Sequence, residues 1–516
     1  MKYSKIAASA ALAFCSSLST AAVVVEVQDD LYDPGKKMVA EIRVDVSDVL
    51  GPIKPMNAVN NGPSARLGPE QRRGDFVNRV QAYREARFPM ARTHDSRGLS
   101  APPGHMVDIN AIFPDWDADE NDPANYDFEQ TDWHLLAIVE AGSEIMFRLG
   151  NSAYNDKYSY PAAKPPKNNI KWARVAERII RHYNEGWGWT NPYIKFENQY
   201  KIRYWEIWNE PDLGCPPDYW RNPREYWLTY RRYWDAPPEK FYEFYATVAK
   251  YLKSRFPHLK IGGPSVAGLP EWTDRFLAHC RANSVPLDFF SWHIYAKEIE
   301  PFLVKGKVMK DMLVKHGYAK TESILNEWNF NLGWKGDLMR ASQAVRTDPS
   351  SPKMAAFYAG VMSAMQESGY ADMLMYYDTR LPTTFNGVFN GITQRPLKGY
   401  FPFYAWSKLA EKGSFLRSTV GGRGHGVRAT AAAGKDGSMA IMVSRYTFDE
   451  NIVSSIPVRI RLSRGSLKGA VLHMTDKLDR YTESWYYLQK SGYMLFDLDP
   501  NSFAFIEIPA GGKAVK

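Results

Sequence analysis

The chain has 516 residues, of which 45% are hydrophobic and 24% charged, and a formal net charge of +8. That length suits one large catalytic unit with an accessory domain, and the composition is that of a soluble globular protein rather than a disordered chain. The basic residues are not gathered into a stripe, so the charge makes no case for nucleic acid and leans only slightly toward an acidic glycan.

The first segment, MKYSKIAASAALAFCSSLSTAA, places Lys2 and Lys5 before an apolar run from Ile6 to Phe14, with small residues at Ser19, Ala21 and Ala22. This is the pattern of a cleaved secretory signal over residues 1–22, and the mature protein is expected to be periplasmic or secreted. Phe14 is bulky where a lipid-attachment site at Cys15 would want a small residue, so plain export ranks above anchoring. No later run reaches the roughly 18 apolar residues of a membrane span. Cys215 and Cys280 remain, and two free buried thiols are expected rather than a disulfide. Aromatics make up 14% of the chain, with 16 Trp and 31 Tyr, which fits core packing and stacking on sugar faces alike.

From Val23 to Val49 the chain alternates apolar and polar residues, as in VVVEVQ and KMVAEIRVDVSDV, which predicts strands over 23–50. A strand and helix series follows over 51–412. IKPMNAV is the first strand and a helix lies around Asp75 to Glu85; FPMARTHD is the second strand, ending in Arg92, His94 and Asp95. The acidic stretch Asp115 to Asp132 puts Glu120 and Tyr126 where an EF-hand needs Gly and Glu, so calcium is a weak reading and a polar loop the plainer one. A helix from Asp132 to Ala141, the third strand EIMFRLG and a helix from Trp172 to Tyr183 come next.

The fourth strand, KIRYWEIWNEPD, runs from apolar residues into Asn209 and Glu210 and stops at Pro211. A helix from Phe241 to Phe256 and a fifth strand, KIGGPS, lead to the sixth, Phe289 to Tyr295, on which His293 and Tyr295 point to the same side. A helix over 306–316 precedes the seventh strand, SILNEWN, with Glu327 and Trp328. A helix from Pro352 to Ser368 and an eighth strand, ADMLMYYD, bring in Asp378, with Arg380 just beyond. From 413 the pattern changes to short alternating runs such as SMAIMVSRY and AFIEIP, predicting a β-sandwich over 413–516 that takes up the N-terminal strands and packs closely on the barrel.

The fold expected is therefore α/β, a (β/α)8 TIM barrel with an accessory β-sandwich. Active sites of such barrels lie at the carboxyl ends of the strands, where Glu210 and Glu327 fall. Two carboxylic acids so placed meet the requirement of glycoside hydrolysis, one protonating the leaving oxygen and the other attacking or orienting water.

WEIWNEPD, DFFSWHIY (Asp288 to Tyr295) and ILNEW (Ile324 to Trp328), in that order, resemble glycoside hydrolase family 39, and the resemblance runs over roughly Pro55 to Trp406. That family belongs to a clan of retaining barrel glycosidases and includes β-xylosidases and α-L-iduronidases. The resemblance implies that Glu210 is the general acid/base and Glu327 the nucleophile. It implies that Arg92 and His94 contact the nucleophile and substrate, that Tyr295 donates a hydrogen bond to the nucleophile, and that His293 lies close to the cleft. Asp95, Asn209, Trp328, Asp378 and Arg380 complete the expected substrate contacts; no metal or cofactor is implied.

The function expected is exo-acting β-glycosidase action, β-xylosidase-like, on a carbohydrate substrate by double displacement. The carboxyl groups should then lie about 5 to 5.5 Å apart, with the Glu210 pKa raised and Glu327 ionised beside Arg92 and Tyr295. Arg97, Arg148 and Arg380 near strand ends motivate a second reading, a hydrolase of acidic or sulfated polysaccharide, unless they form internal salt bridges. A third reading, a non-catalytic glycan-binding protein, would need neither glutamate. The sugar, exo or endo action and the oligomeric state are not legible.

Overall fold

A computed structural model describes residues 39–63, 81–96, 106–152, 164–196, 200–216, 219–221, 233–380, 383–422, 426–484, 488–490 and 492–512. Residues 1–22 with Cys15, expected to be a signal, residues 23–38 and 75–80, expected to be strand and helix, and Arg97 lie outside the described residues.

β1 (Ala40–Pro52) does not join the barrel. Ala40, Ile42 and Val44 are buried while Arg43 is exposed, so its period-two pattern buries one face. It pairs antiparallel with β10 (Ser414–Gly422) and parallel with β13 (Ile456–Leu462). Ten strands form one sheet. On one side of β1 lie β10, β11 (Val427–Ala433), β12 (Met439–Arg445), β18 (Ser502–Ile508), β14 (Val471–Thr475) and β15 (Arg480–Glu483); on the other lie β13, β17 (Tyr493–Leu498) and β16 (Leu488–Lys490). Ile42, Ile460 and Phe496 share one apolar core with Leu472 and Ile506 from the opposite part of the order. The sheet therefore folds over on itself as a sandwich.

The other eight strands close a parallel barrel: β2 (Ala58–Asn60), β3 (Met90–Thr93), β4 (Glu144–Leu149), β5 (Tyr204–Ile207), β6 (Lys260–Val266), β7 (Phe289–Ala296), β8 (Glu322–Phe330) and β9 (Met373–Tyr376), with β9 pairing back onto β2. Ala58, Met90, Met146, Tyr204, Phe289, Ile324, Met373 and Met375 fill the barrel near the strand starts. This apolar plug forces the polar side chains that follow toward the carboxyl ends. Gly262 allows β6 to approach closely, since a Cβ there would lie 2.3 Å from the Phe289 carbonyl oxygen.

The crossover helices observed include Glu129–Glu140, Asn169–Glu185, Pro238–Arg255 and Lys353–Ser368, each within a few residues of the periodic runs read from the sequence, and Glu300–Lys315, which starts six residues before the expected 306. Pro270–Ala282, Gly336–Thr347 and Phe401–Lys412 are further helices that the reading passed over. In the first of these, Trp272, Phe276, Leu277 and Cys280 are buried at helical spacing. Ala432, Met442, Phe503 and Phe505 of the sheet join the same apolar cluster as Phe357 and Trp406 of the barrel helices. Barrel and sandwich are thus packed through a shared core. Cys215 and Cys280 are free, the first half-buried and the second buried. In the acidic loop, Glu120 faces Arg174 and Lys171, and Asp122 caps the turn Pro123–Asn125. No helix among the described residues is long and apolar enough to cross a membrane.

Candidate active site

The site is built on Arg92 at the end of β3, which has no exposed surface. Its Nε donates to Glu206 Oε2 at 2.6 Å; Nη1 donates to Glu327 Oε1 at 2.8 Å and Asn60 Oδ1 at 3.2 Å; Nη2 donates to Asn209 Oδ1 at 2.7 Å and Ser265 Oγ at 2.9 Å. All five N–H groups of the guanidinium therefore have acceptors. Burial pulls its pKa down, but the charges of Glu206 and Glu327 outweigh that and raise it.

Glu327 reaches the barrel interior through an irregularity in β8. Trp292 pairs with Leu325 while His293 pairs with Glu327, so Asn326 is an extra residue on that strand. Alternation from Ile324 and Asn326 alone would turn Glu327 outward; the bulge turns both Asn326 and Glu327 inward. Glu327 Oε1 accepts from Arg92 and lies 3.3 Å from His94 Nε2, and Oε2 accepts from the Tyr295 hydroxyl at 2.8 Å. Burial raises the Glu327 pKa, and Glu210 adds to the rise, while His293, Arg92 and Tyr295 oppose it. Burial and then Glu327 lift Tyr295 well above the ordinary phenol, which keeps it a donor.

Glu210 stands in the turn after β5. Trp208 and Glu210 both take left-handed backbone conformations, with φ of 76° and 46°. Such a conformation costs on the order of 1–3 kcal/mol at a non-glycine residue and is tolerated where the surroundings hold it. Here the Trp208 ring is buried against Trp234 and Phe244, and the Glu210 N–H donates to the Ser265 carbonyl at 2.9 Å. Glu210 Oε1 lies 2.9 Å from His293 Nδ1. Glu210, Glu327 and His293 each place one ligating atom within 4.8 Å of the others. This spacing fits the shorter carboxyl separation of retaining enzymes and not the 6.5–9.5 Å or so of inverting ones. The same cluster could attract a cation, but Arg92 already supplies a positive charge to Glu327.

Of the residues named from the sequence, Arg92, His94, Asn209, Glu210, His293, Tyr295 and Glu327 converge. Burial depresses the pKa of His94 far below the ordinary range and that of His293 to about 4, so both rings are neutral at pH 7. His94 Nδ1 and Asn209 Nδ2 are buried with no hydrogen-bond partner. Asp95 lies at the rim, near His94 and the Tyr377 hydroxyl.

Trp328 is not a cleft residue. With Glu327 turned inward, the next side chain points outward, and its indole is fully buried among Phe302, Tyr358, Tyr376 and Phe403. Asp378 is fully buried and committed to Arg380, Thr383 and Asn61. Arg380 also donates to the Asp95 carbonyl oxygen. Both support the rim rather than open into it. Arg148 Nη2 pairs with Asp108 at 2.7 Å with neither side chain exposed, while its Nε and Nη1 have no hydrogen-bond partner.

Four buried polar residues escaped the reading: Asn60, Glu206, Ser265 and Asn326. Glu206 accepts from Arg92, from Ser291 Oγ at 2.6 Å and from Asn326 Nδ2 at 2.6 Å. A charged residue amid the apolar run YWEIW was the available signal. Trp334, 55% exposed after β8, stands edge-on to Tyr295 at 4.9 Å between centroids and was also passed over.

Residues 104–328 match the sequence profile of the family described as Glycosyl hydrolases family 39. Over that segment the chain is similar to glycosyl hydrolases family 39. The matched segment contains both glutamates and ends one residue beyond Glu327. A β-xylosidase from Geobacillus stearothermophilus is 31% identical over 137 residues, and one from Caldicellulosiruptor saccharolyticus is 27% identical over 135. Each alignment spans 26% of this chain and 22% of the relative. Among solved structures, a glucosidase from Croceicoccus marinus superposes over 91% of this chain and 99% of its own, with TM-score 0.67 and 21% identity. A GH39 β-xylosidase from Caulobacter crescentus superposes over 91% of this chain and 99% of its own, with TM-score 0.60 and 16% identity. At those identities the likeness is one of fold.

Proposed function

We propose that the protein is an exported retaining β-glycosidase, β-xylosidase-like and exo-acting, that works by double displacement. The observation that carries this reading is the approach of the Glu210 and Glu327 carboxylates to within 4.8 Å at the mouth of the barrel. The family and the two β-xylosidase relatives support the substrate class.

Two coupled carboxyls share protons as a pair, and the proton resides where the anion is less favoured. Arg92 and Tyr295 donate to Glu327, and none of the five Arg92 donors goes to Glu210. The anion therefore belongs on Glu327 and the proton on Glu210. Glu327 attacks the anomeric carbon while Glu210 protonates the departing oxygen. Once the glycosyl-enzyme ester forms, Glu327 has lost its charge, Glu210 ionises more readily, and it serves as base for the incoming water.

The reading as a hydrolase of acidic or sulfated polysaccharide is weakened, because Arg148 and Arg380 are neutralised by Asp108 and Asp378. A non-catalytic glycan binder would have no use for two carboxylates held so close. The test is a panel of aryl β-D-xylosides, β-D-glucosides and α-L-iduronides, with the first-formed anomer identified by proton NMR. Xyloside hydrolysis with the β-anomer released first is expected; first release of the α-anomer, or no hydrolysis across the panel, refutes the reading.

A further inference from the structure

Ser265 links the two halves of the site. Its hydroxyl accepts from Arg92 Nη2 at 2.9 Å and Asn326 Nδ2 at 2.8 Å, and lies 2.8 Å from His293 Nε2 and 3.2 Å from Asn326 Oδ1. Arginine can only donate. Asn326 is oriented by Glu206, because turning the amide over would set its oxygen 2.6 Å from a carboxylate oxygen. Both lone pairs of the Ser265 hydroxyl are thus filled by donors. Its one proton goes to the nearer acceptor, His293 Nε2. A neutral ring that accepts at Nε2 carries its proton on Nδ1, which lies 2.9 Å from Glu210 Oε1.

We propose that Ser265 is a positioning residue that fixes the Nδ1–H tautomer of His293 and so makes the imidazole a standing hydrogen-bond donor to Glu210. The catalytic consequence rests on reading Glu210 as the acid/base. A donor aimed at a carboxyl favours its anion, whereas the other tautomer would accept the Glu210 proton and favour the acid. The tautomer therefore lowers the alkaline limit of the acid form and eases ionisation when Glu210 must act as base. Burial keeps His293 uncharged down to about pH 4, so it holds this role across the working range. The charged and titratable groups facing the pair are Glu327, Arg92, Glu206 and Lys305 around His293, with His94 and Tyr295 against Glu327 and Asp212 beside Lys305. A substitution at Ser265 removes none of these groups, although it takes one acceptor from Arg92 Nη2. The Ser265 carbonyl that accepts the Glu210 N–H also survives replacement of the side chain.

The test begins with wild-type protein labelled with ¹⁵N-histidine, using two-bond ¹H–¹⁵N correlation at pH 7 and a His293→Gln sample to assign the resonance. His293 is expected to show a protonated Nδ1 and a bare Nε2. In Ser265→Ala the Nε2–H tautomer should become populated, and the alkaline limb of kcat/KM should move upward by about half a pH unit or more. A wild-type Nε2–H ring, or an unchanged tautomer in Ser265→Ala, overturns the proposal. So does a loss of kcat with the limb unmoved, which would mark a purely structural residue. The NMR reading on wild-type protein needs no turnover and no variant at Ser265. Failure of the glycosidase assignment is therefore separable from failure of this one.

Discussion

Replacing Arg92 by Lys keeps the charge and removes the geometry. The guanidinium has five acceptors, among them Glu206 and Glu327. An ammonium has three donors on a single centre, so at least two hydrogen bonds go, and one point charge in place of a fork cannot hold both glutamates at their present geometry. A hydrogen bond to a charged group contributes about 1.5–3 kcal/mol, and leaving a buried carboxylate without its partner costs about 3–5 kcal/mol. Neither glutamate can escape to water, since Glu206 is fully buried and Glu327 only 4% exposed. The unfolding free energy should therefore fall by about 3–5 kcal/mol, a large share of the roughly 5–15 kcal/mol typical of a folded domain. If the lysine stays with Glu206, Glu327 loses its strongest donor. The proton of the pair then drifts toward Glu327, and kcat should fall by about 10²-fold, the equivalent of about 2.7 kcal/mol. Urea unfolding followed by tryptophan fluorescence, with kcat on an aryl β-xyloside, gives both readings. An Arg92→Lys variant within about 0.5 kcal/mol of the wild-type stability, with undiminished kcat, would refute the claim that one guanidinium ties the two glutamates together.

Glu327→Ala should nearly abolish turnover on every substrate, and added azide should restore part of it with a glycosyl azide of inverted anomeric configuration, identified by NMR; wild-type turnover would reject the nucleophile. Glu210→Ala should cost on the order of 10² to 10⁴ in rate with a sugar leaving group, yet release an activated phenol in a burst and leave a glycosyl adduct on Glu327 detectable by mass spectrometry. Equal losses on both substrates, with no adduct, would count against Glu210 as the acid/base. Burial depresses the pKa of His134 from the ordinary 6.5 to about 4, so its contribution to stability is whole above 6.5 and is lost as the pH falls toward 4. His134→Asn should remove about 1.4 kcal/mol per pH unit from the slope of unfolding free energy in that window; parallel slopes in the two proteins would reject the assignment. Trp334→Ala should raise KM several-fold for xylo-oligosaccharides while leaving the stability within about 0.5 kcal/mol, because its exposed ring stands beside Tyr295 without being part of the core. An unchanged KM would dismiss it as a sugar platform.

The barrel was legible because its strands are buried runs that end in polar residues, and β2 to β9 occur where such runs stand in the chain. Glu210 and Glu327 were legible for the same reason, as carboxyls at strand ends. What escaped was the side each residue faces. Period-two alternation through ILNEW cannot turn Asn326 and Glu327 to the same side, and only the extra residue opposite Trp292 and His293 does so. That bulge also explains Trp328, which resembles a sugar-stacking residue in sequence but is sent into the outer core. Glu206 and Ser265 were hidden because buried polar residues are read as breaks in an apolar run, and their meaning appears only when other strands supply their partners. β8 thereby contributes a network member and a carboxylate from adjacent positions: Asn326 to Glu206 and Ser265, and Glu327 to Arg92 and Tyr295. The place where simple periodicity fails is the place where Glu327 joins the buried network around Arg92, which is where a conflict between local pattern and fold is expected.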